Sequence, residues 1–107
     1  MTCTEEKLPE TVERAVRAMC ADYDRRAHEI RRGALAPEVL GHYMMLNAAI
    51  DNAIATCCEE SIREEMRNDI GNGVGHRFTK LYFLAPATYK SRKRKSKRAI
   101  ARALHLL

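Results

Sequence analysis

The last stretch of the chain, residues 86–106, decides the fold and reads PATYKSRKRKSKRAIARALHL. Its proline suits the first position of a helix, where the missing N–H group has no intrahelical partner. On a helical projection of about 100° per residue, one side collects Tyr89, Ser96, Ile100, Ala103, Leu104 and Leu107. The opposite side collects Ala87, Ser91, Arg94, Lys95, Arg98 and Arg102, with Thr88 and Lys90 at its margins. This pattern predicts an amphipathic basic helix over 86–106 whose apolar side docks on a core.

Charge is distributed unevenly along the 107 residues, whose net charge is +5. After Asp69 the sequence contains no further Asp or Glu. Ten basic side chains follow it: Arg77, Lys80, Lys90, Arg92, Lys93, Arg94, Lys95, Lys97, Arg98 and Arg102. Uncompensated positive charge destabilises a folded chain through self-repulsion, unless a partner neutralises it. The C-terminal third therefore predicts a polyanionic partner.

The order of residue types along this helix suits the major groove of duplex DNA. Short side chains near the N-terminus let the backbone approach base edges, and the cations that follow can bind phosphates. The predicted base contacts are Thr88, Ser91 and Lys95. The predicted phosphate contacts are Arg77, Lys80, Lys90, Arg92, Arg94 and Arg98. We expect Tyr89 in the core, because it shares a side of the helix with Ile100 and Leu104.

The residues that precede this helix predict two shorter helices. Three apolar residues recur every four positions: Ile62, Met66 and Ile70. This spacing predicts a helix over 59–70, which the glycines of GNGVG at 71–75 end. The short apolar stretch RFTKLYFL at 77–84 is predicted to be a helix, because the sequence offers no second strand with which it could pair. A helix, a short helix, a turn and a basic helix in this order are typical of a helix-turn-helix unit.

The core of segment 61–107, DIGNGVGHRFTKLYFLAPATYKSRKRKSKRAIARALHLL, resembles a known family. The matching positions are Ala85-Pro86-Ala87-Thr88-Tyr89 at the turn and recognition-helix start, and Ile100, Ala103 and Leu104 on the inner face. The segment is similar to the C-terminal half of small phage-encoded transcriptional regulators of the RinA/ArpU type, which resemble region 4 of bacterial sigma factors. The resemblance implies a sequence-preferring double-stranded DNA-binding protein of a phage or prophage, and it brings RNA polymerase into consideration as a second partner.

The first half of the chain predicts a long helical hairpin. Apolar residues three and four positions apart predict helices over 9–32 and 37–57, and the short link between them requires an antiparallel arrangement. The chain is thus predicted to be all-α. A hairpin at 1–57 is followed by a three-helix, sigma region 4-like helix-turn-helix unit at 58–107.

The hairpin carries more apolar side chains than one antiparallel partner covers: Met19, Tyr23, Met44, Met45 and Leu46. We therefore expect a homodimer through helices 9–32 and 37–57. The alternative function is a helical protein–protein adaptor, which would bind its partner through this hairpin. Its basic C-terminus would then bind nucleic acid nonspecifically.

The sequence favours neither an enzyme nor a membrane protein. No nucleophilic side chain and general base have a sequence spacing that indicates a catalytic pair. The carboxylates of Glu59-Glu60 and Glu64-Glu65 are better explained by the positive end of a helix dipole than by a divalent cation site. The four Cys and four His lack metal-ligand spacing, so no metal or cofactor is expected. No apolar run approaches the roughly 18–20 residues of a membrane span, and the polar N-terminus is unlike a signal peptide. These features predict a cytoplasmic protein without a membrane partner.

Overall fold

The structure, a computed structural model, describes residues 7–73 and 83–107. These ranges contain no strand and five α-helices: α1 (Glu10–Ala21), α2 (Tyr23–Arg32), α3 (Pro37–Ala55), α4 (Arg63–Asn72) and α5 (Pro86–Ala103). The predicted all-α class is confirmed. The short helix predicted at 77–84 lies outside the described residues, except for Phe83 and Leu84, which lead into α5.

Most helix boundaries follow the prolines and glycines of the sequence. α3 and α5 each begin with a proline, Pro37 and Pro86, as predicted. α2 and α4 end at Gly33 and Gly73, whose φ angles are +71° and +65°. These angles lie in the left-handed region, which glycine adopts without the steric cost of a Cβ atom.

The prediction of a single helix over 9–32 is wrong, because Asp22 separates α1 from α2. Beside this break lies the guanidinium group of Arg26, which is only 2% exposed. It donates hydrogen bonds to the carbonyl oxygen of Met19 at 2.6 Å and to Oδ1 of Asn47 at 2.7 Å. A buried cation that binds a carbonyl near the end of α1 stabilises the break, because such terminal carbonyls lack partners within their helix.

The bounds of two further helices differ from the prediction, and one of them, α4, extends to Asn72 and not to residue 70. The helix predicted over 37–57 ends at Ala55, and the helix predicted over 59–70 begins as a 3₁₀ turn at Glu60–Ile62 before α4. At the end of α3 the hydroxyl group of Thr56 donates to the carbonyl oxygen of Ala53 at 2.7 Å. The same carbonyl also accepts the backbone N–H group of Thr56 at 3.2 Å, so both bonds close the last turn of α3 at Thr56.

The helices pack around one core. α1 lies against α4 and also touches α5, whereas α3 lies between α2 and α5. The most deeply buried apolar side chains come from four of the helices and the 3₁₀ turn: Val16, Ile50, Ile54, Ile62, Met66, Ile70, Ile100 and Ala101. The predicted units 1–57 and 58–107 therefore share a single core in the described residues.

Gly71 permits the close approach of α4 to α1. A Cβ atom at this position would lie 2.7 Å from the backbone nitrogen of Ala21 and 2.9 Å from its Cα atom. We expect Gly71→Ala to lower the free energy of unfolding by about 1–3 kcal/mol, because the two backbones must separate. Gly41→Ala is the matched control, since nothing lies within 4 Å of its Cβ position in α3.

Thermal and urea unfolding of both variants test this expectation. Gly41→Ala should raise the free energy of unfolding by about 0.5–1 kcal/mol, because alanine has the higher helix propensity. A Gly71→Ala variant as stable as the Gly41→Ala variant would show that α1 and α4 do not pack this closely.

Candidate nucleic-acid interface

α5 docks on the core through the side that carries Tyr89, Ser96 and Ile100, all of which are buried as predicted. Ala101 is buried beside them, whereas Ala103 and Leu107, which were predicted on the same side, are exposed. The core-facing side of α5 is thus rotated slightly from the predicted one.

The end of α5 explains the exposure of Leu107. The helix was predicted to reach residue 106 but ends at Ala103, and His105 adopts a left-handed φ of 58°. The N–H group of Leu106 then donates to the carbonyl oxygen of Ala101 at 2.8 Å. This bond belongs to a Schellman motif, so residues beyond it no longer follow the helical projection.

Three cations at the inner side and margin of α5 form ion pairs with other elements. The Lys93 ammonium lies 3.1 Å from the Asp69 carboxylate of α4, and the Lys97 ammonium lies 2.7 Å from the Glu13 carboxylate of α1. At the margin, Arg92 lies 2.6 Å from the Glu59 carboxylate. These pairs explain the rotation of α5, because they allow Lys93 and Lys97 to face the protein.

The ion pairs have the expected electrostatic consequences. The hydrogen bond from Lys97 lowers the pKa of Glu13, so this carboxylate stays ionised at neutral pH. Asp69 is fully buried and also accepts a hydrogen bond from the hydroxyl group of Tyr89. Burial, and then the hydrogen bond to Asp69, raise the pKa of Tyr89, so its phenol stays protonated and continues to donate.

The opposite side of α5, called the outer face here, consists of Ala87, Thr88, Lys90, Ser91, Arg94, Lys95, Arg98 and Arg102. Thr88, Lys90 and Arg94 are exposed, while Ser91 and Lys95 are half-buried. Within residues 7–73 and 83–107, no carboxylate forms an ion pair with Lys90, Arg94 or Lys95. In the described part of the chain, carboxylates therefore pair with Lys93 and Lys97 on the inner side, but not with these three cations of the outer face.

The three residues that were predicted to contact bases lie together. Thr88, Ser91 and Lys95 line a shallow depression of about 430 Å³ with Ala87 and Arg92. Small side chains form its N-terminal part, so a flat or convex ligand can approach the backbone of α5 there. The base-contacting role of these residues stays a prediction.

The residues predicted to contact phosphates differ in their exposure and in their contacts with the rest of the protein. Lys90 and Arg94 are exposed on the outer face, and Arg98 is half-buried. The guanidinium group of Arg92 is held at the margin, because it donates to the carbonyl oxygen of Cys57 at 3.0 Å as well as to Glu59. The two remaining predicted contacts, Arg77 and Lys80, lie outside the described residues.

The roles of Lys93 and Lys97 were missed by the sequence analysis. A signal was present, since both fall on the side of α5 that carries Tyr89 and Ile100. The sequence also indicates their partners, because the carboxylates of Glu13 and Asp69 are each next to an apolar residue of a predicted helix. Carboxylates near the apolar side of one helix and lysines near that of another indicate an ion pair between the two.

The described residues were also compared with the requirements of metal sites, reactive thiols and membrane spans. They contain no group of three or more His, Cys, Asp or Glu side chains that could hold a metal ion. Burial raises the pKa of Cys20 to about 12, so this thiol remains protonated and a poor nucleophile. None of the helices in the described ranges combines the length and apolar character of a membrane-spanning segment.

Comparison of the chain with protein-family models, with curated proteins and with solved structures finds no match. The relationship to regulators of the RinA/ArpU type therefore depends on the residues of segment 61–107 alone and stays a prediction.

Proposed function

We propose that the protein binds double-stranded DNA and inserts the outer face of α5 into the major groove. The separation of charge across α5 carries this proposal. Inner cations such as Lys93 and Lys97 bind carboxylates of α4 and α1, whereas Lys90, Arg94 and Lys95 meet no carboxylate among the described residues. A polyanion on this face would neutralise them and release the counterions that surround the nucleic acid.

The shape of α5 suits this mode of binding. Its 18 residues extend about 27 Å at 1.5 Å per residue, and the major groove of B-DNA is about 12 Å wide, which admits an α-helix. Ala87, Thr88 and Ser91 keep the N-terminal part of the outer face narrow. Lys90 and Arg94 project from a firmly docked helix, because Tyr89 and Ile100 are buried beneath it.

We further propose that this binding is sequence-preferring and regulates transcription in the cytoplasm of a phage-infected or lysogenic host. The resemblance of segment 61–107 to the RinA/ArpU type supports this step. In such a role α4, the short helix predicted at 77–84 and α5 would form the helix-turn-helix unit, with RNA polymerase as a second partner. The protein would act without catalytic groups or a cofactor.

Selection of bound duplexes from a random pool tests the proposed function. We expect the full chain to enrich a defined motif and to prefer it over random duplex by roughly 10³-fold or more. Ser91→Ala or Lys95→Gln should relax the preference at one or two base positions. Loss of a good base contact costs about 1–3 kcal/mol of discrimination.

The alternative function, an adaptor with a nonspecific basic end, predicts a different outcome of the same selection. No motif would be enriched, and single-stranded and double-stranded nucleic acids would bind alike, with a steep loss of affinity as salt rises. That outcome would overturn sequence-preferring DNA binding and favour the adaptor.

A further inference from the structure

Arg92 lies at the margin of the outer face of α5, where the helix meets the turn that follows α3. Its side chain is 35% exposed and helps to line the depression described above. Its Nη1 atom donates to the carbonyl oxygen of Cys57 at 3.0 Å, and its Nη2 atom donates to Oε1 of Glu59 at 2.6 Å. These two bonds fix the orientation of the guanidinium group before any ligand binds.

Both members of the Arg92–Glu59 pair retain hydrogen-bonding capacity. A guanidinium group carries five N–H donors, and hydrogen bonds within the described residues use two of those of Arg92. Glu59 precedes the 3₁₀ turn Glu60–Ile62 and makes no capping bond to it. Its carboxylate is 54% exposed, and in the described ranges only its Oε1 atom accepts a hydrogen bond. The pair thus presents unused donors and an unused acceptor side by side.

The electrostatics of the pair disfavour a phosphate as its ligand. A phosphate at the Arg92 guanidinium group would lie close to the Glu59 carboxylate, and two anions at short range repel each other. A neutral ligand that offers acceptors to Arg92 and a donor to Glu59 meets no such repulsion. Lys90 and Arg94, which form no ion pair within residues 7–73 and 83–107, are better suited to phosphates.

The major-groove edge of a G·C base pair has the complementary pattern. Guanine presents two acceptors, N7 and O6, and the paired cytosine presents a donor, its N4 amino group. Arginine binds N7 and O6 with two N–H groups, and a glutamate carboxylate accepts from N4. An A·T pair places its amino donor between two acceptors, so that donor would oppose the guanidinium group.

We propose that Arg92 and Glu59 together read one G·C pair in the major groove, with Arg92 on guanine and Glu59 on cytosine. The inference rests on the proposed function, because it requires α5 to lie in that groove. The bond to Cys57 holds the guanidinium group from the protein side, so less side-chain entropy is lost on binding. This base contact differs from the phosphate contact that the sequence predicted for Arg92.

Affinities of the full chain for duplexes with each of the four base pairs at every position of the selected motif test the assignment. At one G·C position, Arg92→Lys should lower the preference about tenfold or more. Lysine keeps the positive charge but lacks the planar fork of donors. Arg94→Lys is the matched control, because Arg94 is an exposed arginine of the same helix, and it should keep every preference of the parent chain. Circular dichroism measures the helix content of each variant.

Glu59→Gln separates base reading from a purely structural ion pair. Its uncharged amide should lower the preference at the same G·C position, and Arg92 should bind random duplex more tightly once the carboxylate is gone. A purely structural pair would change stability and leave the base preference as it is. Glu60→Gln removes the same charge from the next exposed residue and should leave the base preference unchanged.

Salt dependence distinguishes a base contact from a phosphate contact. Glu59→Gln combined with Arg92→Gln leaves the net charge unchanged. If the pair contacts bases, the slope of log affinity against log salt concentration should stay at the value of the parent chain. Loss of a phosphate contact would lower its magnitude by about 0.9.

The outcomes separate this inference from the proposed function. An unchanged G·C preference in either Arg92→Lys or Glu59→Gln would overturn the inference, and so would a lower slope in the double variant. Both results would leave duplex binding through α5 in place. A parent chain that enriches no motif would overturn sequence-preferring binding and this inference with it.

Discussion

Arg26→Ala is expected to lower the free energy of unfolding by about 3 kcal/mol. The Arg26 side chain is 2% exposed and donates to the Met19 carbonyl oxygen and to Oδ1 of Asn47. Its removal leaves the buried Oδ1 of Asn47 and the half-buried carbonyl oxygen of Met19 without this donor, and loss of the partner of a buried group costs about 1–3 kcal/mol. Asn47 also donates to the carbonyl oxygen of Tyr23 at 3.2 Å, so one bond between α3 and the start of α2 would remain in this variant. Urea unfolding followed by circular dichroism measures the effect.

Arg25→Ala is the matched control for this variant. Arg25 is the neighbouring residue of α2. Both arginines pair with the Asp22 carboxylate, Arg26 at 3.3 Å and Arg25 at 2.6 Å. Arg25 also donates to the hydroxyl group of Tyr43 at 3.3 Å, but its side chain is 53% exposed. An exposed ion pair contributes about 0–1 kcal/mol, so the control should remain close to the parent chain. If Arg26→Ala were as stable as Arg25→Ala, the buried guanidinium group would not hold the break between α1 and α2.

Lys90→Glu combined with Arg94→Glu is expected to weaken duplex binding on the order of 100-fold. Both residues are exposed, four positions apart on the outer face of α5, so the variant replaces two proposed phosphate-binding cations with two anions. The fold should persist, because neither side chain forms part of the core. Fluorescence anisotropy with a labelled duplex measures the affinity, and circular dichroism measures helix content.

A control with the same change in net charge separates local contact from general electrostatics. Arg31→Glu with Arg32→Glu reverses two exposed cations at the end of α2. We expect at most a severalfold loss of affinity, because these residues lie outside the proposed interface. Equal losses in the two variants would show that net charge, and not the outer face of α5, determines binding.

Local chemistry made much of the fold predictable from the sequence. Pro37 and Pro86 mark the first residues of α3 and α5 because proline suits that position. Gly33 ends α2 because its φ of +71° is easily adopted by glycine alone. The side of α5 with Tyr89 and Ile100 was predictable, because an apolar stripe with helical spacing must be covered.

Tertiary contacts account for what the sequence did not show. The residues around Asp22 continue the helical pattern, which does not show bonds such as those of Arg26 to Met19 and Asn47 beside the break. Arg26 was not expected in the core, because arginine is rarely buried without partners. In the same way, the direction of Lys93 depends on Asp69, which is distant in sequence and is brought near by folding.

The site was predictable only as a set of residues on one face. Helical spacing places Thr88, Ser91 and Lys95 together, and the structure brings them to one depression. The spacing could not show that Arg92 is held by Cys57 and Glu59, because neither residue lies in the same helix. Which cations remain available to a ligand therefore depends on the carboxylates that other elements present to α5.

The salt dependence of duplex affinity tests most directly whether the outer face of α5 contacts DNA phosphates. Each phosphate contact contributes about 0.9 to the slope of log affinity against log salt concentration. Lys90→Gln with Arg94→Gln should therefore lower the magnitude of that slope by about 1.8, whereas Arg31→Gln with Arg32→Gln should leave it at the value of the parent chain. Equal slopes for all three proteins, or a lower slope in the α2 variant alone, would contradict the account.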